Sequence, residues 1–175
     1  IKGLRNGKGE YRFKDGERYV GEFKDGHQHG EGVYTFSDGR KYTGKWESDY
    51  QHGYGRMDYP NGDFYVGTWM TGERSGSGTY MYATGALYTG EWKDDKYNGI
   101  GTYIWPDNCR YIGDWKNSRR SGIGTYISPS GDTYEGSWEY NVCEGNGRCV
   151  YSDGSVYEGG FKDNMWHGTG KYMAV

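Results

Sequence analysis

The stretch Tyr88-Thr89-Gly90-Glu91-Trp92-Lys93-Asp94-Asp95-Lys96-Tyr97-Asn98-Gly99-Ile100-Gly101-Thr102-Tyr103 decides the fold, because its pattern returns at a fixed interval along the chain. Its opening Tyr-x-Gly recurs at Tyr19, Tyr42, Tyr65, Tyr88, Tyr111, Tyr134 and Tyr157, a period of 23 residues. Four residues after each stands Phe23, Trp46, Trp69, Trp92, Trp115, Trp138 or Phe161. A period of this length marks an array of small units, each burying its apolar face only against its neighbours.

Within a unit the period is two. Tyr42, Gly44 and Trp46 share one face of an extended segment and Thr43, Lys45 and Glu47 the other, while Gly32, Tyr34 and Phe36 share a face in the segment before. Alternation of this kind predicts strands. Ser37-Asp38-Gly39 joins the two segments as a three-residue connection, a type I turn followed by a left-handed residue, for which glycine is suited. Gly16, Gly62, Gly85, Gly131 and Gly154 repeat it, and Asn108, in the one remaining unit, is the residue next best able to adopt that backbone. A hairpin closing at Phe36 and Arg40 sets Tyr34 opposite Tyr42, Gly32 opposite Gly44 and Gly30 opposite Trp46. In this reading the Trp or Phe ring covers the bare backbone of the glycine across from it, from Gly7 with Phe23 to Gly145 with Phe161, as glycine inside a strand requires. The structural side chains of the resulting ladder are Tyr42, Trp46, Trp69, Tyr88, Trp92, Trp115 and Trp138. The second bend of each unit, such as Lys24-Asp25-Gly26-His27-Gln28-His29-Gly30, reads as longer and more variable.

Composition bounds the architecture. The 175 residues contain 33 Gly, 20 Tyr and 7 Trp but only 33% hydrophobic residues, too little aliphatic mass for a two-layer core. So small an apolar share suits a disordered chain, yet 18% aromatic content placed with strict periodicity argues for order. The expected fold is all-β, an elongated, twisted and grooved single-layer antiparallel hairpin solenoid. Residues 1–18 supply a partial repeat, and seven repeats start at 19, 42, 65, 88, 111, 134 and 157, forming one array over 1–175. The chain starts within a repeat, so a fragment of a longer array is expected.

With a net charge of −3 and both signs interspersed, no basic stripe exists to track phosphates, and nucleic acid is not an expected partner. Three cysteines without disulfide spacing suit a reducing compartment. No apolar run approaches the ~20 residues of a membrane span. Gly76-Ser77-Gly78 has the look of a phosphate loop, but that mechanism needs a strand leading into a helix N-terminus, and no helical segment follows. Four histidines at repeat spacing nominate no catalytic constellation, so no enzyme activity is expected and no cofactor is required.

Tyr42-Thr43-Gly44-Lys45-Trp46 followed by His52-Gly53-Tyr54-Gly55 resembles the MORN repeat (membrane occupation and recognition nexus), over nearly the whole chain. The resemblance implies a twisted single-layer sheet used as a rigid scaffold. An array of nothing else is similar to the MORN-only cytoskeletal scaffolds of apicomplexan and other unicellular parasites, basal-complex proteins among them. That implies a part in cell division, cytoskeletal protein partners, homodimerisation through C-terminal repeats, and a place in the cytoplasm or cytoskeleton beneath the plasma or inner membrane. The family's histidine stands at His29, His52 and His167 but is replaced by Ser75, Asn98, Ser121 and Glu144, so no repeat-wide histidine chemistry is implied.

Oligomerisation falls on Trp166, Tyr172 and Met173 in the last segment, which has no following unit to pair with. Tyr97 and Trp166, at bends where other units carry Gln or Arg, serve either as contact aromatics or as packing. The rival to the scaffold, binding to phosphoinositide or anionic membrane, falls on Lys116, Arg119 and Arg120; a solvated bend is the simpler reading of that short cluster. Other MORN arrays target enzymes whose catalytic domain lies elsewhere in the chain. Structural zinc would fall on Cys143, Cys149 and His167, completed by a second chain, because thiolate and imidazole are its ligands. The room that Cys149 leaves in place of a tyrosine is otherwise a local adjustment of the core.

Overall fold

The computed structural model describes residues 3–175. Fifteen strands alternate with short turns: β1 (Gly7–Arg12), β2 (Arg18–Lys24), β3 (His27–Thr35), β4 (Lys41–Glu47), β5 (Tyr50–Asp58), β6 (Phe64–Met70), β7 (Glu73–Met81), β8 (Leu87–Lys93), β9 (Lys96–Ile104), β10 (Arg110–Lys116), β11 (Arg119–Ile127), β12 (Thr133–Glu139), β13 (Val142–Val150), β14 (Val156–Lys162) and β15 (Met165–Met173). They form a single sheet in chain order, each bonded to its neighbours in sequence. The chain divides into two compact units, Ile1–Ala83 with Trp92–Asp95, and Thr84–Glu91 with Lys96–Val175.

In the first unit the hairpin of β3 and β4 has the register read from its alternation: Tyr34 opposite Tyr42, Gly32 opposite Gly44, Gly30 opposite Trp46. Its turn closes through Phe36 N–H to the Arg40 carbonyl at 2.9 Å and Gly39 N–H to the Phe36 carbonyl at 3.1 Å, with Gly39 left-handed at φ 89°. The second bend differs from its expected form. Glu47 pairs directly with Tyr50, so only Ser48 and Asp49 remain in the turn, both left-handed at φ 48° and 70°. This is a two-residue type I′ turn, the form whose twist matches that of the flanking strands.

The length that sequence assigned to this bend lies instead in a bulge. Gly44 faces Gly55 and Trp46 faces Gln51, so His52, Gly53 and Tyr54 stand against Lys45 alone. The bulge also changes the reason for the glycine opposite tryptophan. Gly53 sits at φ +65°, and a Cβ there would meet the Lys45 side chain at 3.3 Å rather than an indole ring. Backbone conformation requires it, and the ring-covered glycines are Gly44 and Gly55. A Cβ on Gly55 would lie 2.5 Å from Cζ of Tyr42, and one on Gly44 would lie 2.5 Å from the Gly55 Cα.

Tyrosine, not tryptophan, therefore lies over the glycine floor. Tyr42 is fully buried, and its hydroxyl donates to the Lys45 carbonyl at 2.9 Å, at the register shift. Trp46 packs edge to face on Tyr42 at 5.2 Å, and Trp69 packs on the same ring from the next repeat at 5.3 Å. Each indole also donates Nε1–H to a glycine carbonyl, as Trp69 does to Gly55 at 3.2 Å. In the second unit Tyr111 stands between Trp115 and Trp138 in the same way, at 5.1 Å from each, and Trp115 donates to Gly101 and Trp138 to Gly124, both at 3.1 Å. Such pairs contribute roughly 0.5–1.5 kcal/mol each beyond the area they bury.

Candidate functional site: the aromatic face

Because the sheet has one layer, its aromatic face is covered only by its own rings. Tyr42, Trp46, Trp69, Tyr88, Trp92, Trp115 and Trp138 are all buried there. Beside this ladder, toward the type I turns, half-buried rings follow: in the first unit Phe36 packs against the buried Tyr34 at 4.5 Å, and Tyr80 against Tyr82 at 4.6 Å. In the second unit the same positions hold Tyr103 against Trp105 at 4.6 Å, with Tyr126 6.0 Å from Trp105. Flat, partly exposed rings with hydroxyl and indole N–H groups suit an extended polypeptide better than a small polar substrate.

Opposite the Trp or Phe of the preceding strand stand Gln28, Gln51, Arg74, Arg120, Cys143 and Trp166, and Tyr97 holds the same place in its repeat. Tyr97 is not a projecting contact residue. It is buried and stacks on Tyr88 at 3.7 Å, just past the two-residue turn of the left-handed Asp94 and Asp95. Trp166 stacks on Tyr157 at 4.0 Å but stays about half exposed (49%), and Tyr172 and Met173 are exposed with it on β15.

Consecutive I′ turns are stapled to one another across 21 residues. The Asp49 carboxylate accepts from the Gln28 backbone N–H at 2.7 Å, and Asp49 N–H donates to the Gln28 carbonyl at 3.1 Å. Asp95 repeats this on Arg74, and in the second unit Ser118 does so on Tyr97, Asn141 on Arg120 and Asn164 on Cys143. The opposite turns are linked by carboxylates. Glu17 accepts from the Tyr34 hydroxyl, Asp63 from Tyr80 at 2.7 Å and from Ala83 N–H at 2.8 Å, and Asp132 from Ser152 N–H at 2.7 Å. Sequence reading found neither set. The polar residues at constant offset were visible, but nothing local told which turns would touch.

The basic cluster is split by the strand. Arg120 turns onto the aromatic face, its guanidinium 4.4 Å from the centre of the Trp138 ring, whereas Lys116 and Arg119 pair beside the turn and line a shallow recess with Lys96 and Tyr140. The three residues thus form no common basic surface. Nor are the zinc candidates assembled, for among the described residues no group of three or more His, Cys, Asp and Glu could hold a metal ion. Cys143 is buried opposite Trp138, Cys149 lies between Tyr134 and Tyr157, and His167 is exposed on β15.

The thiol and phenol groups of the face carry no charge near neutral pH. Burial pushes the Cys143 thiol up to about 11 and the Tyr19 phenol up to about 12, and the bond to Cys109 is the largest cause that takes Tyr126 up to about 12. All three are neutral near pH 7, and none is an activated nucleophile.

An open one-layer array, its repeats holding a tyrosine between aromatic rings over a glycine floor, defines the class of protein. The chain belongs to the MORN-repeat family, whose model matches residues 1–18, 19–39, 42–64, 65–87, 88–110, 111–133, 134–156 and 157–173. MORN repeats are protein-interaction and membrane-association modules, in general non-catalytic. No curated protein matches the sequence. Among solved structures, the SAS-4 (dCPAP) TCP domain in complex with a proline-rich motif of Ana2 (dSTIL) from Drosophila melanogaster is similar at 17% identity and a TM-score of 0.50, over 96% of this chain and 90% of that one. At that identity the likeness is one of fold. The TCP10 domain of Danio rerio CPAP (12% identity, TM-score 0.31, 94% of this chain and 86% of that one) and a virginiamycin B lyase of Staphylococcus aureus (12%, 0.22, 97% and 70%) are too distant to carry an argument.

Proposed function

We propose that the chain is a non-catalytic scaffold that docks extended, proline-rich segments of protein partners on its aromatic face. The carrying observation is the set of half-buried rings, Phe36, Tyr80 and Tyr82 in the first unit and Tyr103, Trp105 and Tyr126 in the second, left open on a sheet without a second layer. Proline-rich chains are preformed in an extended helix and lose little entropy on meeting such rings. The structural neighbour in complex with a proline-rich motif supports the same reading. Titration of an uncharged, fluorescein-labelled proline-rich peptide, followed by anisotropy, tests it. Saturable binding weakened by Trp105→Ala is expected, and the absence of binding would remove this docking mode.

The scaffold further dimerises through β15 and associates with the cytoskeleton in the cytoplasm, beneath the plasma or inner membrane, in a role related to cell division. Support for the dimer is the exposed edge strand with Trp166, Tyr172 and Met173. A membrane-binding array is the second reading, supported by the recess of Lys96, Lys116 and Arg119. Co-sedimentation with anionic liposomes over a salt series discriminates the two: salt-sensitive sedimentation favours the membrane.

A further inference from the structure

We infer that Arg120 is an anion anchor on the aromatic face of the second unit, selecting partner segments that place a carboxylate side chain among their flat residues. The inference rests on the docking face proposed above and adds to it a determinant of specificity.

Two equivalent positions of the array differ in how their arginine is neutralised. Arg74 lies over Trp92 at 4.5 Å, and its Nε donates to the Asp95 carboxylate at 2.7 Å while Nη2 donates to the Asp95 carbonyl at 3.0 Å. Its charge is matched inside the chain. Arg120, 46 residues further on, repeats the pose over Trp138 at 4.4 Å, and its Nη2 donates to the Asn141 carbonyl at 2.8 Å. Where Arg74 has a carboxylate, Arg120 has the neutral amide of Asn141, whose oxygen is bonded to the Arg120 backbone N–H at 2.8 Å. The titratable groups that act on Arg120 are Cys143, Tyr111 and Tyr126, a thiol and two phenols whose acidity is suppressed. Burial accordingly disfavours the charged guanidinium, the opposite of what an ion pair does.

Among the described residues no carboxylate acts on the partly buried Arg120, and an incoming anion offsets the hydration it has lost. Guanidinium presents paired N–H donors that match a carboxylate, and such charge-assisted bonds are about twice as strong as neutral ones. The surroundings specify a peptide rather than a small anion. Trp105, whose ring centre is 5.8 Å from the guanidinium carbon, and Tyr126 beside it supply flat, half-buried surfaces on which the residues flanking an acidic side chain can lie.

The test compares a labelled proline-rich peptide carrying one central glutamate with its glutamine twin, by anisotropy on the full chain. The glutamate peptide is expected to bind about tenfold tighter, the size of one hydrogen bond to a charged group. That advantage should vanish in Arg120→Gln, which installs the residue found at the equivalent positions 28 and 51. It should vanish also in Asn141→Asp, which rebuilds the pair of Arg74 with Asp95 and should raise the thermal midpoint without any ligand. Asp95→Asn is expected to create a second carboxylate-dependent site in the first unit. Equal affinity of the two peptides for the unmodified chain would overturn the role of Arg120 while leaving the docking face intact; binding of neither would overturn both. An advantage for glutamate that persists in Asn141→Asp would also overturn it.

Discussion

Glycine and tryptophan hold different parts of each repeat. Gly55 lies beneath the Tyr42 ring with no room for a methyl group, whereas at Gly53 a Cβ would meet only the flexible Lys45 side chain, at 3.3 Å, and the backbone is left-handed. Gly55→Ala is therefore expected to cost about 3 kcal/mol, the upper part of the range for overpacking, and Gly53→Ala about 1–2 kcal/mol for one left-handed residue. Urea unfolding midpoints check the order, and the reverse order would mean that the tryptophan covers Gly53 after all. Trp69 supplies both a ring and a donor. Phenylalanine occupies the equivalent positions 23 and 161, so Trp69→Phe should keep the packing and lose the bond to the Gly55 carbonyl, about 1 kcal/mol. Trp69→Ala, which opens the ladder, should cost about 3–5 kcal/mol.

Hairpins are joined at their ends as well as along their strands. Asp63 shows this best: the bond from Ala83 N–H is the largest influence on its carboxyl, burial opposes it, and the Tyr80 hydroxyl adds to the first, leaving its pKa below the usual 3.8. A carboxyl depressed in the folded state contributes stability above pH 3.8, where it is ionised in both states, and that contribution is lost as pH falls through the lower folded value. Asp49 has the same sign, its bonds from His27 and the Gln28 N–H outweighing the burial that is its largest single influence. Thermal midpoints measured from neutral pH into acid should fall below about pH 4. Asp63→Asn should start lower at neutral pH and fall less. An acid slope identical to that of the unmodified chain would show that these turn carboxylates do not control it.

At the scale of the molecule, the sheet of the described residues has β1 and β15 as its outer strands, both exposed along their length. Every residue of β15 is exposed, and β14 is its one strand neighbour. Such an edge is a template for another strand, and two-fold pairing would close the assembly without forming a filament. Static light scattering should give twice the 19.9 kDa chain mass. Removing residues 134–175, which ends the chain at a repeat boundary, should return a monomer, since repeat arrays tolerate loss of whole units. An unchanged mass ratio after truncation would move the contact away from the C-terminal repeats, and a monomeric full chain would remove the dimer.

Sequence alone determined the strands, the tight turns at Gly39 and its equivalents, and the pairing of Gly30 with Trp46. These follow from a period of two inside a period of 23, both carried by local residue types. It left the bulge hidden, because counting residues between two glycines cannot say whether the surplus lies in a turn or in a strand. The type I′ turns were hidden for a related reason: Ser48-Asp49, Asp94-Asp95 and Tyr140-Asn141 lack the glycine that usually announces this turn. Only tertiary structure decided that Tyr97 is buried, that Lys116 and Arg120 part to different sides, and that Asn141 meets Arg120 where Asp95 meets Arg74. The last two contacts join residues 21 positions apart, and all of them depend on the register of two strands and the twist of the turn between them, which no single repeat encodes.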